Sequence, residues 1–158
     1  MVKVLFVCLG NICRSPTADG VFRDMLAEQP FATRVSVDSA GTGDWHVGKA
    51  PDRRAQAAAT KRGYDLSELR ARQLVAADFE RFDYILAMDE NNYRDLLARA
   101  PAQYHTKVRL FLDYAPACHV TAVPDPYYNG EAGFEVVLDL IEAASAGLIE
   151  RIKSDDFF

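Results

Sequence analysis

Cys8 and Arg14 are the two residues of this 158-residue chain whose types and spacing point most directly to chemistry. Five residues separate them and a serine follows, so the segment reads Cys8-Leu9-Gly10-Asn11-Ile12-Cys13-Arg14-Ser15. A short loop that runs into a helix N-terminus directs several backbone N–H groups at one centre, where the helix dipole also favours negative charge. The segment therefore predicts a site for one phosphate group, with the backbone of residues 9–13 as its cradle.

Three side chains of this loop have predictable roles. Gly10 permits backbone angles that are closed to other residues. Arg14 offers a planar guanidinium that binds two phosphate oxygens at once. Cationic surroundings favour an ionised thiol, so Cys8 is expected to be a thiolate at neutral pH and an in-line nucleophile for phosphorus. The alternative without chemistry is that Cys8 is a buried cysteine at the end of a strand and Arg14 is a surface charge.

Hydrophobic periodicity predicts the elements that hold this loop. Residues 2–7 form the apolar, β-branched run of a buried parallel strand, and Ser15-Pro16 then offers an N-cap and a proline at the first helical position. Further strands are predicted at 34–40, 82–88 and 108–112, and further helices at 51–62, at 91–100 and from Gly133 onward. This alternation predicts an α/β fold: one doubly wound domain over 1–158, a four-stranded parallel sheet with helices on both faces. Cys8 would lie at the carboxyl end of the first strand, where such sheets bind ligands.

Composition and charge narrow the function classes. Apolar residues are 49% and charged residues 26%, which excludes a disordered chain. No apolar run reaches the roughly 18 residues of a membrane helix, and no export signal is recognisable, so membrane insertion is not expected. Three cysteines favour free thiols and a cytoplasmic location over a disulfide framework. A net charge of −5 argues against a nucleic-acid partner but allows one bound phosphate.

The histidines give no metal-ligand spacing with each other or with Cys118, so neither a metal nor a cofactor is expected. Asp125 stands out among the carboxylates for its neighbours. Pro126 biases Asp125 toward an extended loop conformation, and Tyr127 and Tyr128 follow as possible aromatic walls of a pocket. Without those neighbours it would be read as a solvated turn carboxylate.

The segment from Val7 to Pro16 resembles the signature loop of the low-molecular-weight protein tyrosine phosphatases. The resemblance extends over almost the whole chain, through Asp38-Ser39-Ala40-Gly41-Thr42, Asp83-Tyr84-Ile85-Leu86-Ala87-Met88-Asp89 and Asp125-Pro126-Tyr127-Tyr128. It implies a hydrolase that cleaves phosphotyrosine and small aryl phosphates through a phosphocysteine intermediate. The implied partner is a phosphotyrosine-containing protein, with a tyrosine kinase as one candidate, and the enzyme itself is expected to be a monomer or a weak dimer.

The resemblance also implies a catalytic role for three residues. Cys8 is phosphorylated, Arg14 stabilises the transferring phosphoryl group, and Asp125 protonates the leaving oxygen and then activates water. The residues implied to hold the loop by hydrogen bonds are Asn11, Ser15 and Ser39, with Ser15 also donating to the thiolate. The implied pocket walls are Trp45 and Tyr127, with Tyr128 beside them; core packing is the alternative role for Trp45.

Cys13 and Leu69 carry two further expectations. The loop must curl around an anion, which brings Cys13 toward Cys8 and predicts a reversible, redox-sensitive disulfide between them. At the position of Leu69 many members of the family carry a histidine that belongs to a supporting polar network. Its absence leaves open how Asn11 and Ser39 are braced, but does not affect the expected chemistry.

Three other functions compete with this assignment. Arsenate reductases of the same fold pass oxidising equivalents to further cysteines, and only Cys118 lies downstream of the loop. Arginine phosphatases typically carry a threonine in place of Ile12, so the isoleucine favours phosphotyrosine. A phosphopeptide-binding module that does not hydrolyse would have no need of Cys8, Arg14 and Asp125 together.

Overall fold

The protein is described here by a computed structural model, which covers residues 1–126 and 130–156. The strands are β1 (Val2–Cys8), β2 (Val35–Gly41), β3 (Tyr84–Ala87) and β4 (Val108–Leu110). They pair in parallel in the order β2-β1-β3-β4, which confirms the predicted four-stranded parallel sheet. The chain leaves β1 for β2 on one side and later returns to β3 on the other. The crevice beyond the end of β1 is therefore the topological switch point of the sheet.

Helices pack around this sheet. Those of the described residues are α1 (Arg14–Leu26), α2 (Arg53–Lys61), α3 (Ala77–Arg81), α4 (Glu90–Arg99) and α5 (Gly130–Asp155). Helix α3 was not predicted, because five residues are too few for a helical period to stand out. Within the part of the chain that the structure describes, no helix combines the length and the apolar character needed to cross a membrane.

The start of α1 differs from the prediction. Ser15 was expected to be the N-cap, but the helix begins at Arg14 and Cys13 occupies the N-cap position. The hydroxyl of Ser15 is used elsewhere, since its oxygen lies 3.0 Å from the sulfur of Cys8. The first turn of α1 is thus part of the phosphate loop rather than a separate element behind it.

Other helix bounds also shift. Helix α2 begins at Arg53 rather than at Pro51, because the carboxylate of Asp52 accepts hydrogen bonds from the first free backbone N–H groups of the helix. Helix α5 begins at Gly130, three residues before the predicted start, and continues to Asp155. These differences change no neighbour relation in the sheet.

The two faces of β1 pack into two separate cores. The ring of Phe6 meets Phe22 of α1 and Phe111 edge-on, with ring centroids 5.6 Å and 5.0 Å apart. Leu5 and Val7 point to the opposite face and pack with residues of α4. Because β1 is an inner strand and is buried on both faces, the loop that follows it starts from a firmly held part of the sheet.

Arg62, just after α2, ties that helix to α5. Its guanidinium forms ion pairs with Glu135 at 2.7 Å, Asp139 at 2.9 Å and Glu142 at 2.5 Å. Glu142 also accepts a hydrogen bond from the hydroxyl of Tyr64. This cluster lies away from the carboxyl end of β1 and stabilises the packing of two helices.

Strand β2 forms one edge of the sheet, and its outer side is capped. The guanidinium of Arg23 donates to the carbonyl oxygen of Val37 at 3.0 Å, and the carboxylate of Asp38 accepts from the next backbone N–H at 2.8 Å. Gly41 exchanges two backbone hydrogen bonds with residues 72–74. The outward-facing backbone groups at these positions therefore already have partners.

Candidate active site

A cavity of about 260 Å³ opens at the carboxyl end of β1. Its walls are formed by Cys8, Leu9, Gly10, Ile12, Cys13, Arg14, Trp45, His46 and Asp125. The three residues expected to be catalytic thus face one space, although Asp125 is far from the other two in the sequence. The cavity combines a thiol, a guanidinium and a carboxyl group, which is the set needed to transfer a phosphoryl group to sulfur and then to water.

The sulfur of Cys8 lies at the base of this cavity, and the residue is only 3% exposed. The backbone N–H of Asn11 donates to it at 3.3 Å, and the hydroxyl oxygen of Ser15 lies 3.0 Å away. Hydrogen bonds donated to a charged group favour its charged form. The surroundings of Cys8 therefore suit a thiolate.

Asn11 connects the residues that hold the loop. Its side-chain nitrogen donates to the hydroxyl oxygens of Ser15 at 2.7 Å and Ser39 at 3.0 Å. Its backbone lies in the left-handed region with φ of +57°, a conformation that asparagine tolerates better than most residues. The structure brings the three expected supporting residues together, buried behind the wall of the cavity.

Arg14 is almost fully buried and is held by two distant parts of the chain. Its Nη1 donates to the carboxylate of Asp89 at 2.7 Å and to the carbonyl oxygen of Val123 at 3.0 Å, while Nη2 lies 3.9 Å from Asp125. Burial alone would lower the pKa of Arg14, but the negative charges of Cys8, Asp89 and Asp125 outweigh it and raise that pKa. The guanidinium is therefore a permanent cation whose orientation is fixed before phosphate arrives.

Asp89 is a site residue that sequence reasoning missed. It lies two residues beyond the end of β3, the strand next to β1, and so lies at the same carboxyl end of the sheet as Cys8. Its carboxylate serves twice, since it also accepts from the backbone N–H of Asn92 as the N-cap of α4. The sequence does contain a signal for Asp89, because a polar residue directly after a buried strand lies where parallel sheets bind ligands.

The rim of the cavity is partly apolar. Trp45 is 64% exposed, so it is a wall of the cavity and not a core residue. His46 also lines the cavity and lies against Gly10, where a Cβ atom would come 3.0 Å from the ring carbon Cδ2. His46 belongs to none of the motifs that predict the site. Two expected wall residues, Tyr127 and Tyr128, lie outside the described residues.

Cys13 lines the same cavity and is buried. Burial raises the pKa of its thiol to about 12, with further contributions from the negative charges of Asp52, Cys8 and Asp125. Cys13 is therefore a protonated thiol at neutral pH and does not compete with Cys8 as a nucleophile. Among residues 1–126 and 130–156, no cluster of three or more acidic, histidine or cysteine side chains could hold a metal ion.

Known proteins resemble this chain over nearly its full length. The sequence model of the family described as "Low molecular weight phosphotyrosine protein phosphatase" matches residues 3–156. The human protein of that name is 44% identical over 152 residues, 94% of each chain, and the low molecular weight protein-tyrosine-phosphatase YfkJ of Bacillus subtilis is 39% identical over 98% of each. A crystal structure of a protein tyrosine phosphatase from Entamoeba histolytica superposes with a TM-score of 0.95 at 42% identity, covering 99% of each chain.

Proposed function

This chain belongs to the low molecular weight phosphotyrosine protein phosphatases, and we propose that its Cys8, Arg14 and Asp125 carry out the hydrolysis of phosphotyrosine. The chain is a protein-tyrosine phosphatase, a hydrolase of phosphoric monoesters. One observation supports the residue assignment most strongly: the buried sulfur of Cys8, with two hydrogen-bonding groups directed at it, faces the same cavity as Arg14 and Asp125.

In the first step, the thiolate of Cys8 attacks phosphorus in line with the oxygen of the tyrosine side chain. A sulfur–phosphorus bond forms as the phosphorus–oxygen bond breaks, and the departing phenolate takes a proton from Asp125. The equatorial oxygens carry the developing charge, which Arg14 and the N–H groups of residues 9–13 stabilise. The products are tyrosine and a phosphocysteine.

In the second step, water releases the phosphate. Asp125, now a carboxylate, takes a proton from the water as its oxygen bonds to phosphorus, and the bond to the sulfur of Cys8 breaks. Inorganic phosphate leaves, and Cys8 is a thiolate again. The side chain of Asp125 is 51% exposed, so water can reach it from the mouth of the cavity.

Substitution of Asp125 by asparagine tests the proton-transfer role. We expect the cleavage of phosphotyrosine to slow about 10²-fold to 10³-fold, because tyrosine is a poor leaving group that needs the proton. An activated aryl phosphate such as p-nitrophenyl phosphate, whose phenol is far more acidic, should lose much less in the same step. Single-turnover kinetics with both substrates measures the step directly.

The exposed Asp44 is a matched control, because it lies in the loop that carries Trp45 but does not line the cavity. Asp44→Asn is expected to retain the activity of the parent on both substrates. If Asp125→Asn slowed the cleavage step equally for the two substrates, the proton-transfer role would be contradicted and Asp125 would have only a structural role.

The competing functions have less support. Arsenate reduction of the kind considered requires downstream thiols near the nucleophile, and Cys118 lies in a turn outside the cavity wall. We propose that the physiological substrate is a phosphotyrosine-containing protein, with a tyrosine kinase as one candidate. The exposed side chains of Leu9 and Trp45 at the mouth support a protein substrate, since they offer contacts to residues around the phosphotyrosine. We further propose that the enzyme acts in the cytoplasm as a monomer or a weak dimer.

Peroxide is expected to inactivate the enzyme reversibly. The thiolate of Cys8 attacks the peroxide, releases hydroxide that is protonated to water, and becomes a sulfenic acid. The thiol of Cys13 then attacks that sulfur, a second water leaves, and a disulfide joins the two residues. Because burial raises the pKa of Cys13 to about 12, the second step should accelerate as pH rises from 7 to 9.

Peptide mapping after peroxide treatment at each pH measures this disulfide, and recovery with a thiol reductant measures its reversibility. Cys13→Ser should stay active but recover poorly, whereas Cys118→Ser should behave like the parent. Full recovery of activity by Cys13→Ser, or the absence of a Cys8–Cys13 disulfide in the parent, would show that Cys13 does not protect Cys8 from irreversible oxidation.

A further inference from the structure

We propose that Arg72 and Asp78 are positioning residues for the phosphate loop. Their ion pair holds the backbone that orients the side-chain amide of Asn11, and this amide in turn directs the hydroxyl proton of Ser15 toward Cys8. The inference rests on the proposed function only in taking Cys8 as the reactive thiol. It assigns a task to two residues that do not line the cavity.

The first observation is the partner of Asn11. The backbone N–H of Arg72, 61 positions along the chain, donates to Oδ1 of Asn11 at 3.0 Å. Leu69, where many relatives carry a histidine, packs its side chain against the apolar core and offers no polar group. The brace on Asn11 is therefore supplied by the backbone of Arg72.

The second observation concerns the direction of the hydrogen bonds. An N–H group can only donate, so the amide of Asn11 must turn its oxygen to Arg72 and its nitrogen to the two serines. The two hydrogens of that nitrogen go to Ser15 at 2.7 Å and Ser39 at 3.0 Å. The oxygen of Ser15 then accepts one hydrogen, and its own proton is left for the sulfur of Cys8. Such a donated proton favours the thiolate over the thiol.

The side chain of Arg72 anchors a segment that has no regular secondary structure of its own. Residues 62–76 contain no helix or strand, apart from one isolated bridge at Gln73. Arg72 is clamped by Asp78 with two bonds of 3.0 Å and 3.1 Å, and its Nε donates to Asp38 at 3.0 Å. The side chain of Asp78 is only 2% exposed, and its carboxylate also accepts the backbone N–H of Val75.

A bidentate pair with a buried carboxylate fixes both the position and the orientation of the guanidinium. Without it, the segment around Arg72 keeps only the partly exposed contact with Asp38, the packing of Leu74 and its backbone hydrogen bonds, such as the one from Gly41 to the carbonyl oxygen of Arg72. The backbone N–H of Arg72 would then be less firmly placed, and the orientation of the amide of Asn11 less firmly set. The consequence appears at Cys8, three hydrogen bonds away from the backbone of Arg72.

The test compares Arg72→Gln and Asp78→Asn with Arg62→Gln. Arg62 is a matched control, because it is also an arginine paired with several carboxylates but lies between α2 and α5. Three quantities are measured for the full chain: the pH midpoint for alkylation of Cys8 by iodoacetamide, the Kd of inorganic phosphate that protects against alkylation, and the melting temperature. A Cys13→Ser, Cys118→Ser background restricts alkylation to Cys8.

For Arg72→Gln and Asp78→Asn we expect the midpoint of alkylation to move up by about one pH unit and the Kd of phosphate to rise about tenfold. Arg62→Gln should lower the melting temperature without moving either quantity. Asp38→Asn removes the exposed partner of Arg72 and should shift both quantities in the same direction by less. If Arg72→Gln and Asp78→Asn prevent folding, Asp38→Asn alone tests the proposal.

A folded Arg72→Gln or Asp38→Asn protein with the midpoint and phosphate affinity of the parent would overturn the positioning role, even if its melting temperature fell. An equal shift in Arg62→Gln would also overturn it, because general destabilisation would then explain the result. A parent whose Cys8 is neither reactive nor protected by phosphate would instead contradict the proposed function. The two failures are therefore distinguishable.

Discussion

Cys8→Ser is expected to lower kcat on a phosphotyrosine peptide by about 10⁴-fold or more, the scale set by the loss of an enzymatic nucleophile. A serine hydroxyl is not ionised at neutral pH, and the groups recorded at this position among the described residues, the hydroxyl of Ser15 and the N–H of Asn11, are not general bases. The change is nearly isosteric in a residue that is 3% exposed, so the fold should persist. Inorganic phosphate should bind at least as tightly as to the parent, because a negative sulfur no longer faces it.

Cys118→Ser is the control for this substitution, since Cys118 lies outside the cavity and should be dispensable. Turnover is measured on the peptide, and phosphate binding by calorimetry. More than trace turnover by Cys8→Ser would remove Cys8 from the mechanism. Loss of phosphate binding in a folded Cys8→Ser protein would mean that the loop depends on the sulfur for its shape.

Arg14→Lys is expected to lower kcat about 10³-fold, although the charge is kept. The guanidinium binds Asp89 and the carbonyl oxygen of Val123 through Nη1, whereas Nη2 lies on the side of Asp125 at 3.9 Å, where phosphate would bind. A lysine ammonium is a point charge on a flexible stem and cannot serve both sets of partners. The carboxylate of Asp89 would compete with phosphate for it.

The kinetic comparison includes Arg23→Lys, a substitution on the same helix at a side chain that is 57% exposed. That control should keep the kcat of the parent, while Arg14→Lys should also lose affinity for phosphate. An Arg14→Lys enzyme within about tenfold of the parent would show that charge alone suffices at this position.

The local parts of the site could be predicted from the sequence. Strand β1, the loop and the start of α1 are continuous in the chain, so the apolar run and the spacing of Cys8, Gly10 and Arg14 describe one structural unit. The parallel four-stranded sheet followed from the alternation of strands and helices, whereas the order of its strands came only from the structure. Asp125 needed more than this, because its neighbours mark it only as a loop carboxylate and its catalytic role came from the family resemblance.

The partners of Arg14 could not be predicted in the same way. Asp89 and Val123 are 75 and 109 positions away in the sequence, and their approach depends on which strand lies beside β1. The same holds for Arg72, whose backbone reaches Asn11 from a segment with no periodic pattern. Two roles were predicted for Ser15, because a serine before a helix fits both an N-cap and a donor to sulfur; the N-cap was wrong, and the hydroxyl lies against the sulfur of Cys8.

The capped outer side of β2 also determines how copies of this chain can meet. An open edge strand is a template for strand addition, the step that begins domain swapping and amyloid-like growth. Here Arg23 and Asp38 occupy outward-facing backbone groups of β2, and the opposite edge is β4, only three residues long. An approaching strand would find an interrupted ladder along β2 and only a short one along β4, so we expect the folded protein to resist edge-to-edge aggregation at high concentration.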